Sequence, residues 1–442
     1  MVKNFYLSCI LFVIILLLYF GLKGGQGSWD FFKTYWIFVC LLCFILVKVF
    51  HYWMKNTPKK FDEIVGFGSI AATEIVLGNI LFVYPSYLTL FYFSKAIGSV
   101  VIGVGADSLK RKTVLYVTLI VFAIFSLTSF VPEWFESVIP LSLSLVMIGL
   151  LGDPSIVARA VLLDAHIHEI SGNRLKCKLL MARSVRVETF AWIFISVISY
   201  TFHAPMQYFL LFGVGLSVAL AALSRFVIDK THPDKSHAGI RGMVKECIAI
   251  SFLGTVFLSF LFYNWVIETS FFSFFFNVEK TFDELCEKSV SAMNWSIGMY
   301  IGCWLHEKGL RHVRERTSFL IGLALSIFGF LIYMAANQIE LFSLKNNLHL
   351  ASFAVVGLGS GVFLPCFYSI ATSFGRIHSF GILIGMVDLI RTLGEWIGSI
   401  LAEKEQFFCC SMCCACAAFF LLAIFLLNRV LKKREASHKE GN

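Results

Sequence analysis

The chain has 442 residues, 58% of them hydrophobic and only 15% charged, with a mean hydropathy of +0.79. A soluble domain carries about 25% charged residues, so this chain has too few to cover a water-facing surface, and the charges it has cluster between long apolar runs. The formal net charge of +9 falls at the ends of those runs, which points to membrane topology and anionic lipid rather than to nucleic acid.

Taken in chain order, Lys3 and the apolar stretch Phe5 to Leu22 look at first like a signal peptide. No small-residue cleavage site follows and a second apolar run begins at Phe31, so the segment reads as an uncleaved first span. With about 20 apolar residues needed per crossing, about fourteen spans are predicted: 5–22, 31–53, 64–83, 87–105, 113–131, 138–163, 181–203, 206–228, 245–277, 288–304, 317–338, 349–372, 379–402 and 408–428. The pair 64–83 and 87–105 turns at Pro85-Ser86; merged, its ~40 residues would form a helix of ~60 Å, too long to cross once. The 13 cysteines sit mostly inside these runs, as Cys40, Cys43, Cys303 and Cys366 do, without the spacing of a disulfide framework.

The loops test the count. Lys55, Lys59 and Lys60; Lys110, Arg111 and Lys112; Arg174, Lys176 and Lys178; Lys230, Lys235 and Arg241; Lys308, Arg311, Arg314 and Arg316; and Arg376 all fall on one side. The loops between them are poor in Lys and Arg, so the positive-inside rule places both termini in the cytoplasm. The polar stretch 229–244, DKTHPDKSHAGIRGMV, has six spans after it and six between it and Pro58, with two more before those. The expected organisation is two extra transmembrane helices in 1–55, an N-terminal six-helix bundle in 56–228, a cytoplasmic linker in 229–244, a C-terminal six-helix bundle in 245–428 and a basic tail in 429–442. Paired bundles of this kind are a secondary-transporter plan, with the site between the halves near the midplane.

After the fourth span comes Gly103-Val104-Gly105-Ala106-Asp107-Ser108-Leu109-Lys110-Arg111-Lys112. It resembles the cytoplasmic signature of the major facilitator superfamily: Gly, three residues, Asp, a basic residue, any residue, Gly, then two basic residues. Gly103, Asp107, Arg111 and Lys112 match; Ser108 stands for the basic residue and Lys110 for the glycine. Small residues at 103 and 105 suit close helix approach, and Asp107 suits pairing with basic groups and capping of a neighbouring helix N-terminus. The second half carries an echo, Gly302, three residues, His306, then Lys308-Gly309-Leu310-Arg311, with His306 in place of the aspartate. The resemblance covers roughly residues 60–430. It implies that the 103–112 loop latches the two bundles in the outward-facing state, that Asp107 is a gate residue, and that Arg159, near the cytosolic end of its helix, partners it.

Ionisable groups deep in a span are costly and default to function. Glu74 and Lys95 lie at similar depth on adjacent helices and are expected to pair. Asp388, Arg391 and Glu395, at i, i+3 and i+7, share one helical face. Asp153 interrupts its span between Gly152 and Pro154, where a proline breaks the helix and frees a carbonyl. Arg183 and Arg186 share a face, and Glu188 does not face Arg186, so these need partners on other helices, Arg159 and Asp153 among them. Glu268 lies in the outer half of the 245–277 span. The substrate or proton pathway is therefore assigned to Glu74, Lys95, Asp153, Glu268, Asp388, Arg391 and Glu395.

The expected protein is all-α: a polytopic membrane protein of two six-helix bundles in pseudo-twofold arrangement, plus two extra N-terminal helices. The expected function is secondary active transport of a small polar solute, zwitterionic or organic-acid, by alternating access in proton-coupled symport, with a proton-coupled efflux antiporter as the alternative. A membrane enzyme or a non-transporting interaction protein is the alternative of another class, against which stands the lack of a nucleophile, base or metal constellation at one depth. No cofactor and no metal is expected. The partners are the solute, protons and the bilayer, the chain is expected to be a monomer, and the location is a bacterial inner membrane.

Overall fold

A backbone in hydrocarbon satisfies its amides only within a helix or a closed barrel, and the described apolar runs of this chain are helical. The computed structural model describes residues 58–83, 87–130, 141–170, 174–202, 207–227, 282–336, 338–339, 341–372 and 380–402. The spans 5–22, 31–53, 245–277 (with Glu268) and 408–428, the linker and the tail lie outside the described residues. The chain separates into two compact units, Met1–Phe61 and Asp62–Asn442, and the contacts below lie within the second.

Helix α1 is Pro58–Val83, with its proline at the first position, where the missing N–H costs nothing. It is followed by α2 (Leu88–Ser108) and α3 (Arg111–Phe130). The tight pair flanking Pro85 is thus two helices. The predicted span 138–163 is divided: α4 is Leu141–Leu151 and α5 is Pro154–Ala165. A single turn α6, Ile167–Ile170, leads to α7 (Arg174–Phe202) and α8 (Gln207–Ser224). The later half contributes α9 (Phe282–Lys308), α10 (Glu315–Ala336), α11 (Phe342–Thr372) and α12 (Phe380–Ala402). Helices α7 and α9 outrun their apolar stretches because a helix, once nucleated, continues as long as its flanks find water or protein partners.

Among the described residues four stretches are long and apolar enough to cross a membrane: Thr89–Ser108, Leu141–Ala165, Thr317–Ala336 and Asn347–Ser369. Phe93, Ile97 and Val101 on α2, Val117 and Ile124 on α3, Phe190 and Val197 on α7, and Phe328 and Leu331 on α10 are exposed. Apolar surface on so many helices suits lipid as the solvent. Buried hydroxyls bond back to their own helix, as Ser69 does to the Val65 carbonyl and Thr73 to that of Ser69, both at 2.7 Å, so they stay satisfied without water. This is an all-α integral membrane protein.

Packing links the earlier helices to the later ones reciprocally: α2 lies on α12, and α7 lies on α9. The first contact depends on glycine. A Cβ at Gly103 would sit 2.7 Å from the Gly381 carbonyl oxygen, and one at Gly385 would collide with that of Ser99. Backbone approaches backbone there, which only small residues allow. Gly385→Leu is expected to force α2 and α12 apart at an overpacking cost of about 1–3 kcal/mol. A thermal unfolding midpoint lowered by several degrees in detergent checks this, and an unchanged midpoint would show that the contact is loose.

Candidate functional site

The site begins at the helix break. Pro154 forbids continuation of α4, and Asp153, extended at φ −97° and ψ 92°, caps α5 instead. Its Oδ1 accepts from the Ser155 backbone N–H at 3.0 Å and from the Ser155 hydroxyl at 2.5 Å, and its Oδ2 lies 3.2 Å from Lys95 Nζ on α2. One turn beyond Ser155, Arg159 donates through Nη1 to the Ser155 Oγ at 3.3 Å. The same Nη1 lies 3.5 Å from Asp388 Oδ2 on α12, and Nη2 meets Glu188 Oε2 on α7 at 2.5 Å. The guanidinium also lies over the Tyr368 ring of α11, 5.1 Å from its centre, and the Tyr368 hydroxyl donates to Asp388 Oδ1 at 2.5 Å. The second oxygen of Glu188 takes Arg391 Nη1 at 2.6 Å, and Arg391 Nε donates to Glu395 Oε1 at 3.1 Å.

A continuous network thus runs Lys95, Asp153, Ser155, Arg159, Glu188, Arg391, Glu395, with Asp388 and Tyr368 bonded to Arg159. Beside it, Glu74 on α1 accepts from the Trp192 indole N–H of α7 at 3.1 Å. The side chains of Arg159 and Glu188 are only 1% and 2% exposed, whereas those of Lys95 and Arg391 keep 15% and 20%. The accessible charges of the network are therefore its outer cations, and the carboxylates stand behind them. Each buried ion costs several kcal/mol to desolvate, and the network persists because each charge meets opposite charges or dipoles at close range.

A second set of contacts lies at the end of the molecule that bears the basic loops. The buried Asp107 accepts from the backbone N–H of Gly381 at 2.9 Å and of Ile382 at 2.7 Å, capping α12. Arg111 Nη2 lies 3.2 Å from Asp107, and its Nη1 lies 3.3 Å from Asp164. Lys112 follows on α3, half-buried. Across the molecule, Glu307 at the end of α9 takes Arg183 at 3.0 Å and Arg186 at 2.6 Å, both from α7.

Three sequence expectations are corrected. Lys95 pairs with Asp153 rather than with Glu74, because the break at Gly152-Asp153 turns that carboxylate toward α2, while Glu74 faces the indole of α7. Arg159 does not partner Asp107. Arg111, four residues on, reaches the motif carboxylate, and Arg159 points into the interior along the Ser155 face of α5. Glu188 does pair with Arg159, but Arg183 and Arg186 share Glu307 instead of turning inward to Asp153. At position 306 of the echo, His306 is buried, with Nε2 3.9 Å from the Cys366 sulfur. The structure brings Lys95, Asp153, Arg159, Asp388, Arg391 and Glu395 together with Glu74 beside them. It joins Glu188 to them, and it adds Tyr368, Trp192, Glu307 and Lys178. Tyr368 and Trp192 carry no charge to mark them in an apolar run. Glu307 and Lys178 read as ordinary loop-edge charges. Among the described residues no group of His, Cys, Asp and Glu is arranged to hold a metal ion.

Arg159→Met leaves Glu188 and Asp388 without their shared cation and is expected to destabilise the fold by about 3–5 kcal/mol. The triple replacement of Arg159, Glu188 and Asp388 by apolar residues of similar volume is expected to recover most of that loss. Thermal unfolding of both variants in one detergent decides it, and equal destabilisation would show that packing rather than charge dominates.

No protein-family model and no curated protein sequence matches this chain. Several solved structures share its fold. The human organic anion transporter MFSD10 (TETRAN) superposes with a TM-score of 0.63 at 14% identity, over 84% of this chain and 100% of that one. The major facilitator superfamily transporter FucP, in the outward conformation, gives 0.61 at 11% identity over 84% and 99%. A bacterial homologue of the iron transporter ferroportin, in an outward-facing state, gives 0.64 at 11% identity over 85% and 99%.

Proposed function

We propose that this chain, which has the fold of the major facilitator superfamily transporters, is a secondary active transporter that moves a small polar solute by alternating access. The observation that carries the reading is that the buried ion network joins α2, α5 and α7 of the earlier half to α11 and α12 of the later half. A merely structural core of this size favours apolar packing. Ions held between two bundles (56–228 and 245–428) have a use when the bundles part and the charges exchange one another for water, solute or protons.

The solute class we propose is a zwitterion or organic acid, moved by proton-coupled symport. Lys95 and Arg391, the accessible cations, suit a carboxylate. The network and its neighbour Glu74 set five carboxylates (Glu74, Asp153, Glu188, Asp388, Glu395) against three cations (Lys95, Arg159, Arg391). The excess of two acids suits groups that take up protons when the site is dry. The basic end is the cytoplasmic side on the positive-inside rule, so the contacts of Asp107 and Glu307 close the cytoplasmic side and correspond to an outward-facing state. The location proposed is a bacterial inner membrane.

Uptake into proteoliposomes tests this, with amino acids, betaines and organic acids screened with and without an inward proton gradient. At least one class is expected to accumulate with the gradient, and Asp388→Asn and Arg391→Ala are expected to reduce that uptake by about 100-fold or more, the scale of losing a buried charge pair. Uptake that survives both substitutions would remove the network from the pathway. Gradient-driven loss of preloaded solute would instead select the efflux antiporter.

A further inference from the structure

The reciprocal packing of α2 on α12 and α7 on α9 raises a question that the Asp107 cap does not answer. On one flank, the carboxylate at the end of α2 caps the start of α12. On the other flank, the corresponding place at the end of α9 holds His306, and the neighbouring Glu307 takes Arg183 and Arg186 of α7. A further contact lies nearer the start of α7.

We infer that Lys178 is a gating residue of this second flank, acting beside the Glu307 pairs: an ammonium from the start of α7 that latches onto carbonyls of the loop between α9 and α10. This inference rests on the alternating-access reading above. Lys178 is among the most buried residues of the protein, at 0% exposure. Its Nζ lies 3.2 Å from the Leu310 carbonyl oxygen, 2.9 Å from that of Val313 and 3.4 Å from Ser318 Oγ, three acceptors for three ammonium hydrogens. Leu310 and Val313 belong to the loop between α9 and α10, and the Leu310 carbonyl also accepts from the Val313 N–H at 3.1 Å. As at Asp107, a buried charged side chain is bonded to backbone groups of the later half, here to carbonyls rather than to N–H groups.

The cap is also suited to release. Its acceptors are neutral, so water replaces them at little loss, and an ammonium regains its hydration when α7 moves away. The Arg159 network, by contrast, would leave buried ions unpaired. Beneath Lys178 lies Cys366, fully buried against His306 and Ser318, so removal of Lys178 from its seat uncovers a thiol.

That thiol makes the test independent of any solute. The full-length protein in detergent is treated with N-ethylmaleimide, and labelling of Cys366 is followed by peptide mass spectrometry. Lys178→Met keeps the length of the side chain and removes the ammonium. It is expected to speed Cys366 labelling roughly 10-fold, the scale on which one charged hydrogen bond biases a two-state equilibrium. Lys178→Arg is expected to restore slow labelling in part. Asp107→Asn, in the same assay, reports opening through the other flank. If Asp107→Asn speeds labelling and Lys178→Met, eluting as a folded monodisperse protein, does not, Lys178 is not a gate. If neither changes it, the face does not open, and the alternating-access reading fails together with the inference. Should Lys178→Met not fold, Ser318→Ala, which removes one acceptor, is expected to give a smaller increase of about 3-fold, and an unchanged rate would overturn the assignment.

Discussion

The guanidinium of Arg159, held between Glu188 and Asp388 and stacked on Tyr368, constrains more of this molecule than any other group. It is fully buried, so its charge is tolerable only where carboxylates from α7 and α12 are both at hand. That requirement fixes the rotation of three helices about their axes. It also explains the helix break: Asp153 and Ser155, which terminate α4 and start α5, are the groups that connect Arg159 to Lys95 on α2. The interruption of the span and the placement of the network have the same cause.

Charge pairs in the middle and helix caps at the basic end divide the work between the halves. In the middle, every bond is between full charges or to a charged group, and breaking one without a replacement strands an ion in a dry place. At the basic end, ion pairs of Arg111 and Glu307 are joined by bonds to the backbone, Asp107 to N–H groups and Lys178 to carbonyls, which water satisfies equally well once exposed.

The seam between α2 and α12 is built on small residues. Gly103, Gly381 and Gly385 bring α2 and α12 into backbone contact, so their seam has few side chains to interlock. The glycines of α11 serve a different purpose: Gly357 and Gly361 admit the backbone of α9, and Gly359 that of α10, binding the later helices to one another.

Much of this was legible in the residues themselves. Composition and the spacing of apolar runs determined an all-α membrane protein, because hydrocarbon admits few other backbones, and the glycine-aspartate-basic signature at 103–112 pointed to the fold that the solved structures share. The membrane cost of charge likewise marked Lys95, Asp153, Asp388, Arg391 and Glu395 before any contact was known. Which charge meets which was decided only by tertiary structure. Depth along a helix is a matter of counting, but rotation about its axis depends on packing, and a break such as Gly152-Asp153 resets the count. So Lys95 turned to Asp153 and not Glu74, Arg159 to Glu188 and not Asp107, and an unremarkable lysine at position 178 became a buried cap. Tyr368 and Trp192 were invisible to a search for charge, since an aromatic hydroxyl or indole in an apolar run declares itself only when a carboxylate is found beside it.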